Sequence, residues 1–185
     1  MAAEYAIEMR GITKTFGSVV ANKDVNLTLR KGEILALLGE NGSGKTTLMN
    51  MLSGIYQPDS GEILVDGTPV SIRSPQEAKT LGIGMVHQHF KLVDVFTAAD
   101  NIWMGREKPG FDLKRGRYDE IREMAQRFGF EIDPRKKAAN MAVSEKQTLE
   151  IIKVLYYGAK VIILDEPLRC SPFRRSTSYS PCCGG

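Results

Sequence analysis

The sequence has few side chains that could crosslink the chain or hold a soft metal. It contains three cysteines and two histidines, and Cys170, Cys182 and Cys183 all lie in the last 18 residues. Adjacent Cys182 and Cys183 match no zinc-ligand spacing, and no histidine lies near them. Residues 1–167 have no cysteine at all, which excludes a disulfide framework or a zinc finger there.

The sequence also has no long apolar run, and we expect that its N-terminus is not a secretory leader. No stretch approaches the ~20 apolar residues of a membrane helix. The first ten residues carry Glu4 and Glu8 and no long apolar stretch. We therefore expect a cytoplasmic chain that does not span a bilayer. Its 185 residues, 42% apolar and 25% charged, are typical of one globular domain.

Net charge is absent from most of the chain. The formal charge of +3 comes from Arg169, Arg174 and Arg175, because without residues 168–185 there are 22 basic and 22 acidic side chains. A neutral body lacks the basic surface by which nucleic-acid-binding proteins attract phosphates. We therefore expect no nucleic-acid partner.

Strand-like and helical patterns alternate along residues 5–164, which predicts an α/β fold. The predicted strands are Tyr5–Met9, Val25–Leu29, Ile34–Leu38, Glu62–Val65, Gly84–Val86 and Val161–Leu164. The predicted helices span residues 45–52, 96–104, 118–128 and 144–155, and a further helix begins at Ser74-Pro75. Two of the strands, Ile34–Leu38 and Val161–Leu164, are continuous apolar runs, which indicates parallel strands buried on both faces.

A glycine-rich loop follows the first of these apolar runs and precedes a helix. It reads Gly39, Glu40, Asn41, Gly42, Ser43, Gly44, Lys45, Thr46 and then Thr47, which fits the P-loop pattern. Glycines allow backbone N–H groups to face a polyphosphate, Lys45 would reach its β- and γ-phosphates, and the Thr46 hydroxyl would ligate Mg²⁺. The alternative is a chance match, on the order of one per cent for a chain of this length.

Two acidic residues end the second apolar run. Asp165 and Glu166 follow Val161–Leu164, and ligands of parallel sheets bind at this end of the strands. Asp165 could hold Mg²⁺ through water, and Glu166 could polarise an attacking water. The alternative is an ordinary strand that ends in an acidic turn.

With both motifs at this separation, the sequence resembles the nucleotide-binding domain of ABC transporters. The resemblance implies that Phe16, in Thr13–Gly17, stacks on adenine, although Phe16 could instead be a core aromatic. It also implies that Gln88 contacts Mg²⁺ and links ATP to a membrane partner. His87 and His89 flank Gln88 and could suggest a metal, but the glutamine explains this segment better.

The family's signature normally reads close to Leu-Ser-Gly-Gly-Gln and opens a helix. Here Val143 is followed by Ser144, Glu145, Lys146 and Gln147, so both glycines are replaced. The resemblance implies that these four residues act on the ATP of a partner domain. Ser144 is also predicted to cap the helix, with Gln147 at the capping-box position.

Three segments narrow the resemblance to the first half of tandem ATPases that serve simple-sugar and nucleoside importers. They are Met85–Phe90, Ala99–Ile102 and Val143–Leu155. The resemblance covers residues 4–167 and implies a P-loop NTPase core with an antiparallel β subdomain and a helical subdomain, its C-terminal part missing. Residues 89–104 would then contact the permease or belong to the helical core.

The function implied by the resemblance is that of an ATP-binding subunit that couples ATP hydrolysis to uptake of a simple sugar or nucleoside. It would use ATP and Mg²⁺ on the inner face of the membrane, with Lys45, Gln88 and Glu166 in catalysis and Thr46, Gln88 and Asp165 at the metal. Its partners would be permease subunits, a second ATP-binding domain and, indirectly, an extracytoplasmic solute-binding protein. Alternatives are an inert or regulatory P-loop fragment and a soluble ABC ATPase outside transport.

The resemblance stops at Pro167, where the family continues with a helix, a strand and a switch histidine. Residues 168–185 are predicted to be an aberrant tail that arose by loss of one base after the Pro167 codon, because a shifted reading frame on paper gives family-like sequence. The alternative is a genuine divergent C-terminus. Without the later strands we expect Ile162–Leu164 at an exposed sheet edge, impaired ATP turnover and marginal stability.

Overall fold

A computed structural model describes residues 4–87, 90–104 and 114–165. These residues divide into two compact units, one of residues up to 91 together with 150–165, the other of residues 92–149. Gln88, His89, Glu166 and the tail 168–185 lie outside the described residues, so the predictions for them stay predictions. No described helix is long and apolar enough to cross a membrane.

The first unit contains most of the regular structure. Its strands are β1 (Tyr5–Phe16), β2 (Val19–Arg30), β3 (Ser60–Val65), β4 (Thr68–Val70), β5 (Ile83–Val86) and β6 (Val161–Leu164). Its helices are α1 (Lys45–Leu52) and α2 (Pro75–Thr80). The predicted Ser74 cap of α2 is confirmed, because its hydroxyl accepts the Glu77 N–H at 3.2 Å.

Four antiparallel strands form one sheet in the order β2-β1-β3-β4. Two tight connections build it: Gly17 and Ser18 join β1 to β2, and Asp66 and Gly67 join β3 to β4. Asp66 and Gly67 have φ of 50° and 76°, as a type I′ hairpin turn requires. The sheet buries the apolar side chains Ile7, Met9, Ile12 and Ile63 with Leu48, Met51 and Leu52 of α1.

A second, parallel sheet pairs β5 with β6 in the register Ile83↔Val161 to Val86↔Leu164. Ile163 is buried, whereas Leu164 is 40% exposed. Among the described strands β6 pairs only with β5, so the sheet edge predicted for Ile162–Leu164 is confirmed there, although the Ile163 side chain is buried. Gly84 of β5 packs so closely on Val154 that a Cβ there would overlap this side chain.

The predicted strand Ile34–Leu38 is not a strand in the structure. Ile34 and Leu38 are 94% and 92% exposed, and Leu35 is 42% exposed. A parallel strand needs a neighbour for its backbone and cover for both faces. No described strand pairs with residues 34–38, so the apolar run remains irregular and is exposed except at Leu37, which packs against the core.

The second unit is helical. It contains α3 (Ala98–Trp103), α4 (Lys114–Arg127), a 3-10 turn (Ala138–Asn140) and the start of α5 (Val143–Tyr156), whose residues from Glu150 belong to the first unit. Thr97 and Asp100 form a capping box at α3, with the Thr97 hydroxyl 2.6 Å from the Asp100 carboxylate. Asn101 is fully buried and ties residues 93–97 to α3, because its side chain bonds the backbone of Val93 and Thr97.

Candidate nucleotide-binding site

The glycine-rich loop leads directly into α1, which begins at Lys45 as predicted. Gly42 and Gly44 both have φ of 86°, a left-handed conformation that glycine adopts without strain. Gly44 is the N-cap of α1 and supplies no side-chain cap. The first N–H groups of α1 are thus available to an anion, and the helix dipole favours negative charge there.

The Lys45 ammonium folds over the loop that precedes it. It donates hydrogen bonds to the carbonyl oxygens of Gly39 at 2.8 Å and Glu40 at 2.7 Å, and to the Ser43 hydroxyl at 3.3 Å. The ammonium therefore lies inside the curve of the loop. That position suits a cation that meets a bound polyphosphate.

The end of β6 places Asp165 beside α1. The Thr46 hydroxyl lies 3.5 Å from Asp165 Oδ1, and the Asp165 N–H donates to the Val86 carbonyl at 3.1 Å. A hydroxyl and a carboxylate that meet in this way are the hard oxygen ligands that Mg²⁺ prefers. Thr46 and Asp165 thus fit the predicted magnesium site, although they are 119 residues apart in sequence.

His87 follows β5 at the same end of the parallel sheet. Partial burial lowers the pKa of its imidazole, the Lys91 charge lowers it further, and Asp165 opposes the change. The neutral form of His87 is therefore favoured in the folded chain. Among the described residues no group of three His, Cys, Asp or Glu side chains is arranged to hold a metal.

Asn22 on β2 supports the loop and was missed by sequence reasoning. Its Nδ2 donates to the Gly44 carbonyl at 3.4 Å, and it is only 7% exposed. A Cβ on Gly44 would overlap the Ala21 carbonyl, so β2 and the loop are in close contact. No local signal pointed to it, because the strand predicted for this segment, Val25–Leu29, begins three residues after Asn22, whereas β2 begins at Val19.

Phe16 ends β1 and lies at the surface. Phe16 is 42% exposed, which rules out the alternative that it is an ordinary core aromatic. Its ring meets the Tyr56 ring edge to face, with 5.1 Å between the ring centroids. The Lys14 ammonium is 5.5 Å from the same ring. Stacking of Phe16 on a base stays a prediction, and the exposed ring leaves room for it.

The predicted Ser144 cap of α5 is wrong. The helix begins at Val143, and the Ala142 carbonyl accepts its first intrahelical bond, from Lys146 at 3.0 Å. Ala142 is therefore the N-cap, and Glu145 is the third helical residue, whose carboxylate accepts the Ala142 N–H at 2.7 Å. This is the return bond of a capping box, and the alanine side chain supplies no acceptor for the N–H groups of the first turn. Gln147 is only 5% exposed, and its Oε1 has no partner in the described part of the chain.

Charged side chains of the predicted signature form ion pairs within the second unit. Both carboxylate oxygens of Glu145 lie 2.8 Å from the Lys136 ammonium, and Lys146 pairs with Asp94 at 3.0 Å. Lys136 and the Ala142 N–H lower the pKa of Glu145. The carboxylate is therefore held ionised at the start of α5.

Comparison with known proteins agrees with this geometry. The family model described as ABC transporter matches residues 22–169. The chain is 54% identical over 167 residues to the guanosine import ATP-binding protein NupO of Bacillus subtilis, a match that covers 89% of this chain and 32% of that protein. It is 49% identical over 163 residues to the ribose import ATP-binding protein RbsA 1 of Rubrobacter xylanophilus, covering 87% of this chain and 33% of that protein.

Solved structures show the same fold. The chain matches cbiO1 from Clostridium perfringens, part of the ABC transporter complex cbiONQ, with a TM-score of 0.75 and 28% identity over 89% of this chain and 66% of that one. It matches the ATP-binding cassette MJ1267 with a TM-score of 0.78 at 22% identity, over 90% of this chain and 71% of that one. The chain spans about a third of the length of the curated relatives that it matches. By its match to the family model over residues 22–169, the chain belongs to the ABC transporter family.

Proposed function

We propose that this chain is the ATP-binding part of an importer that couples ATP hydrolysis to uptake of a nucleoside or simple sugar. The meeting of the Thr46 hydroxyl and the Asp165 carboxylate beside the Lys45 ammonium carries the proposal. This is the arrangement that a nucleotide triphosphate and its divalent cation need. The nucleoside and sugar classes are supported by the names of the relatives, which import guanosine and ribose.

Catalysis would consist of positioning and charge stabilisation. The N–H groups at the start of α1 and the Lys45 ammonium would bind the phosphates, while Thr46 and Asp165 would hold Mg²⁺. When bound, Mg²⁺ offsets the charge of the phosphates. Glu166 would polarise the attacking water and Gln88 would reach the metal, and both roles rest on the resemblance because these residues lie outside the described ones.

The partners would be transmembrane permease subunits, a second ATP-binding domain and, indirectly, an extracytoplasmic solute-binding protein. The chain would act on the inner face of the membrane. In a pair of such domains Ser144, Glu145, Lys146 and Gln147 would approach the ATP of the partner. The ionised Glu145 carboxylate at the start of α5 would repel a γ-phosphate there, which supports the proposal of slow turnover.

Phosphate release by the full 185-residue chain tests the proposal. With Mg²⁺ and ATP we expect slow release that Lys45→Ala abolishes. The matched control is Lys31→Ala, which removes a lysine paired with Asp66 at 2.7 Å and leaves the loop intact. Release that is equal in wild type and Lys45→Ala would contradict the proposal.

The altered signature favours a second candidate, an inert or regulatory nucleotide-binding fragment. ATP binding that depends on Lys45, with no phosphate release, would select this candidate. Co-purification of the chain with permease subunits would separate an importer from a soluble ABC ATPase outside transport.

A further inference from the structure

Asp59 forms an unusually dense set of contacts for a loop residue. Its carboxylate accepts hydrogen bonds from the Lys14 ammonium at 2.7 Å, the Thr15 N–H at 2.7 Å and the Thr15 hydroxyl at 2.8 Å. Its own N–H donates to the Thr13 carbonyl at 2.9 Å. Asp59 therefore holds Lys14 and Thr15, the two residues of β1 that immediately precede Phe16.

These contacts keep the Asp59 carboxylate charged. The Lys14 ammonium and the Thr15 donors lower its pKa to about 2. A lowered pKa means that the contacts are present above the pKa of the unfolded chain and are lost only as the pH falls through about 2. The contacts of Asp59 with β1 are therefore retained at neutral pH.

The same loop also supports the Phe16 ring. Tyr56, three residues before Asp59, meets this ring edge to face at 5.1 Å. The backbone of the loop is bound to α1, because the Asn50 carbonyl accepts the N–H groups of Ile55 at 2.9 Å and Tyr56 at 3.2 Å. The helix α1, which carries Lys45 and Thr46, is therefore hydrogen-bonded to the loop whose Tyr56 contacts the Phe16 ring.

The hairpin that carries Phe16 also touches the P-loop. Phe16 pairs with Val19 across the β1–β2 turn, and Ala21, two residues further on, lies against Gly44. The exposed Phe16 ring and the phosphate-binding loop thus share a rigid support through β2 on one side and through α1 on the other. An exposed aromatic ring on this support can stack on the base of a nucleotide whose phosphates bind the loop.

We infer that Asp59 is a positioning residue for nucleotide recognition, which holds the Phe16 ring where it stacks on the base of the nucleotide. The inference rests on the proposed function, because it requires a triphosphate at the P-loop. Asp59 contributes to the binding of the base and not to the binding of the phosphates. Tyr56 supports the same ring from its edge.

Calorimetric titration of the full chain with two probes, MgATP and Mg²⁺ tripolyphosphate, separates these contributions. We expect Asp59→Asn to weaken ATP binding about fivefold, part of the roughly tenfold or more that base–aromatic stacking contributes. Tripolyphosphate has no base, so its affinity should stay within about twofold. Phe16→Ala should weaken ATP more, and the double variant should bind ATP no more weakly than Phe16→Ala alone.

Asp66→Asn is the matched control. Asp66 forms a 2.7 Å ion pair with Lys31, its side chain is 43% exposed against 41% for Asp59, and it lies at the other end of β1. Its removal should change neither affinity. Asp59→Glu keeps the carboxylate and should restore part of the ATP affinity that Asp59→Asn loses.

The outcomes separate the inference from the function on which it rests. Equal losses of ATP and tripolyphosphate binding in Asp59→Asn, or unchanged ATP binding, would overturn the inference while the P-loop function stands. If the folded wild type binds neither probe, the proposed function fails and the inference with it.

Discussion

The two sheets of the first unit differ in how they obtain their neighbours. The antiparallel sheet joins β1 to β2 and β3 to β4 by two-residue turns, and its inner side chains Ile7, Met9 and Ile12 are fully buried. The parallel sheet pairs β5 with β6, which lies more than 70 residues further along the chain. Its Leu164 is 40% exposed, and the apolar run at 34–38 pairs with neither strand.

This difference shows which parts of the fold depend on local sequence. A hairpin strand brings its partner with it, so a short segment suffices to bury its inner face. A parallel strand depends on segments that return from elsewhere, and an apolar run without such a segment stays exposed. Apolar character makes residues 34–38 suitable for a central strand, but it does not supply a partner.

Truncation of buried and exposed isoleucines should give the largest difference between the two regions. Ile12→Ala removes a side chain with 0% exposure from the antiparallel sheet. We expect it to lower the free energy of unfolding by about 2–5 kcal/mol. Ile34→Ala is the matched change at a 94% exposed position, and its effect should stay within about 0.5 kcal/mol.

Urea unfolding followed by circular dichroism measures both effects. Equal losses in the two variants would show that residues 34–38 are buried in solution, and the contrast between the regions would fail.

Gly84→Ala tests whether the parallel pair is packed on α5. The new methyl group would overlap the Val154 side chain, so we expect a loss of about 1–3 kcal/mol in the free energy of unfolding. Val154→Ala in the same chain removes the overlapping atoms. The double variant should therefore be more stable than the sum of the two single losses predicts. Additive losses would mean that β5 and α5 are not in contact.

The structure also changes the interpretation of the helical unit. Helix α5 begins at Val143, one residue before Ser144. Its N-cap is therefore Ala142, and a side-chain cap would have to be supplied at that position. Ala142→Ser should raise the free energy of unfolding by about 1 kcal/mol, since serine accepts a hydrogen bond at an N-cap. Ser144→Ala is the control and should change it by less than about 0.5 kcal/mol. The reverse ranking of the two variants in urea unfolding would restore Ser144 as the cap.

The smallest effect that we predict is the loss of folding stability at acid pH through His87, which follows β5. Burial lowers the pKa of His87 below its ordinary 6.5, so the unfolded chain binds a proton more readily than the folded one. Stability should therefore fall as the pH drops through 6.5 and level off below the folded-state pKa. His87→Gln should lose less stability than wild type between about pH 7.5 and about 5.5. An identical pH profile for both proteins would exclude this role.

Much of the fold followed from sequence because its signals are local. The alternating apolar residues of β1 and β2, the Asp66-Gly67 turn and the helix after the glycine-rich loop all depend on neighbours in the chain. The P-loop was recognised from its spacing, and the structure adds Thr46 beside Asp165. Local signals gave the wrong cap at Ser144, because the Ala142 N–H donates to the Glu145 carboxylate and the N-cap lies two residues earlier.

The remainder depends on long-range contacts that no local pattern contains. Asp59 meets Lys14 and Thr15 across 45 and 44 residues, and Asn22 meets Gly44 across 22 residues. Asp59 looks like an ordinary turn aspartate in the sequence, and only its partners in space show that it supports Phe16. The strand predicted at residues 34–38 was wrong for the same reason, since the burial of a parallel strand depends on the segments that lie beside it.

The most direct test of the account is calorimetric titration of the full chain with MgATP, in wild type and in Lys45→Ala, with folding of both checked by circular dichroism. The account predicts one binding site per chain in wild type and loss of at least about tenfold in affinity without the Lys45 ammonium, the size of a charge-assisted contact to phosphate. No ATP binding by the folded wild-type chain, or equal affinity in Lys45→Ala, would contradict it.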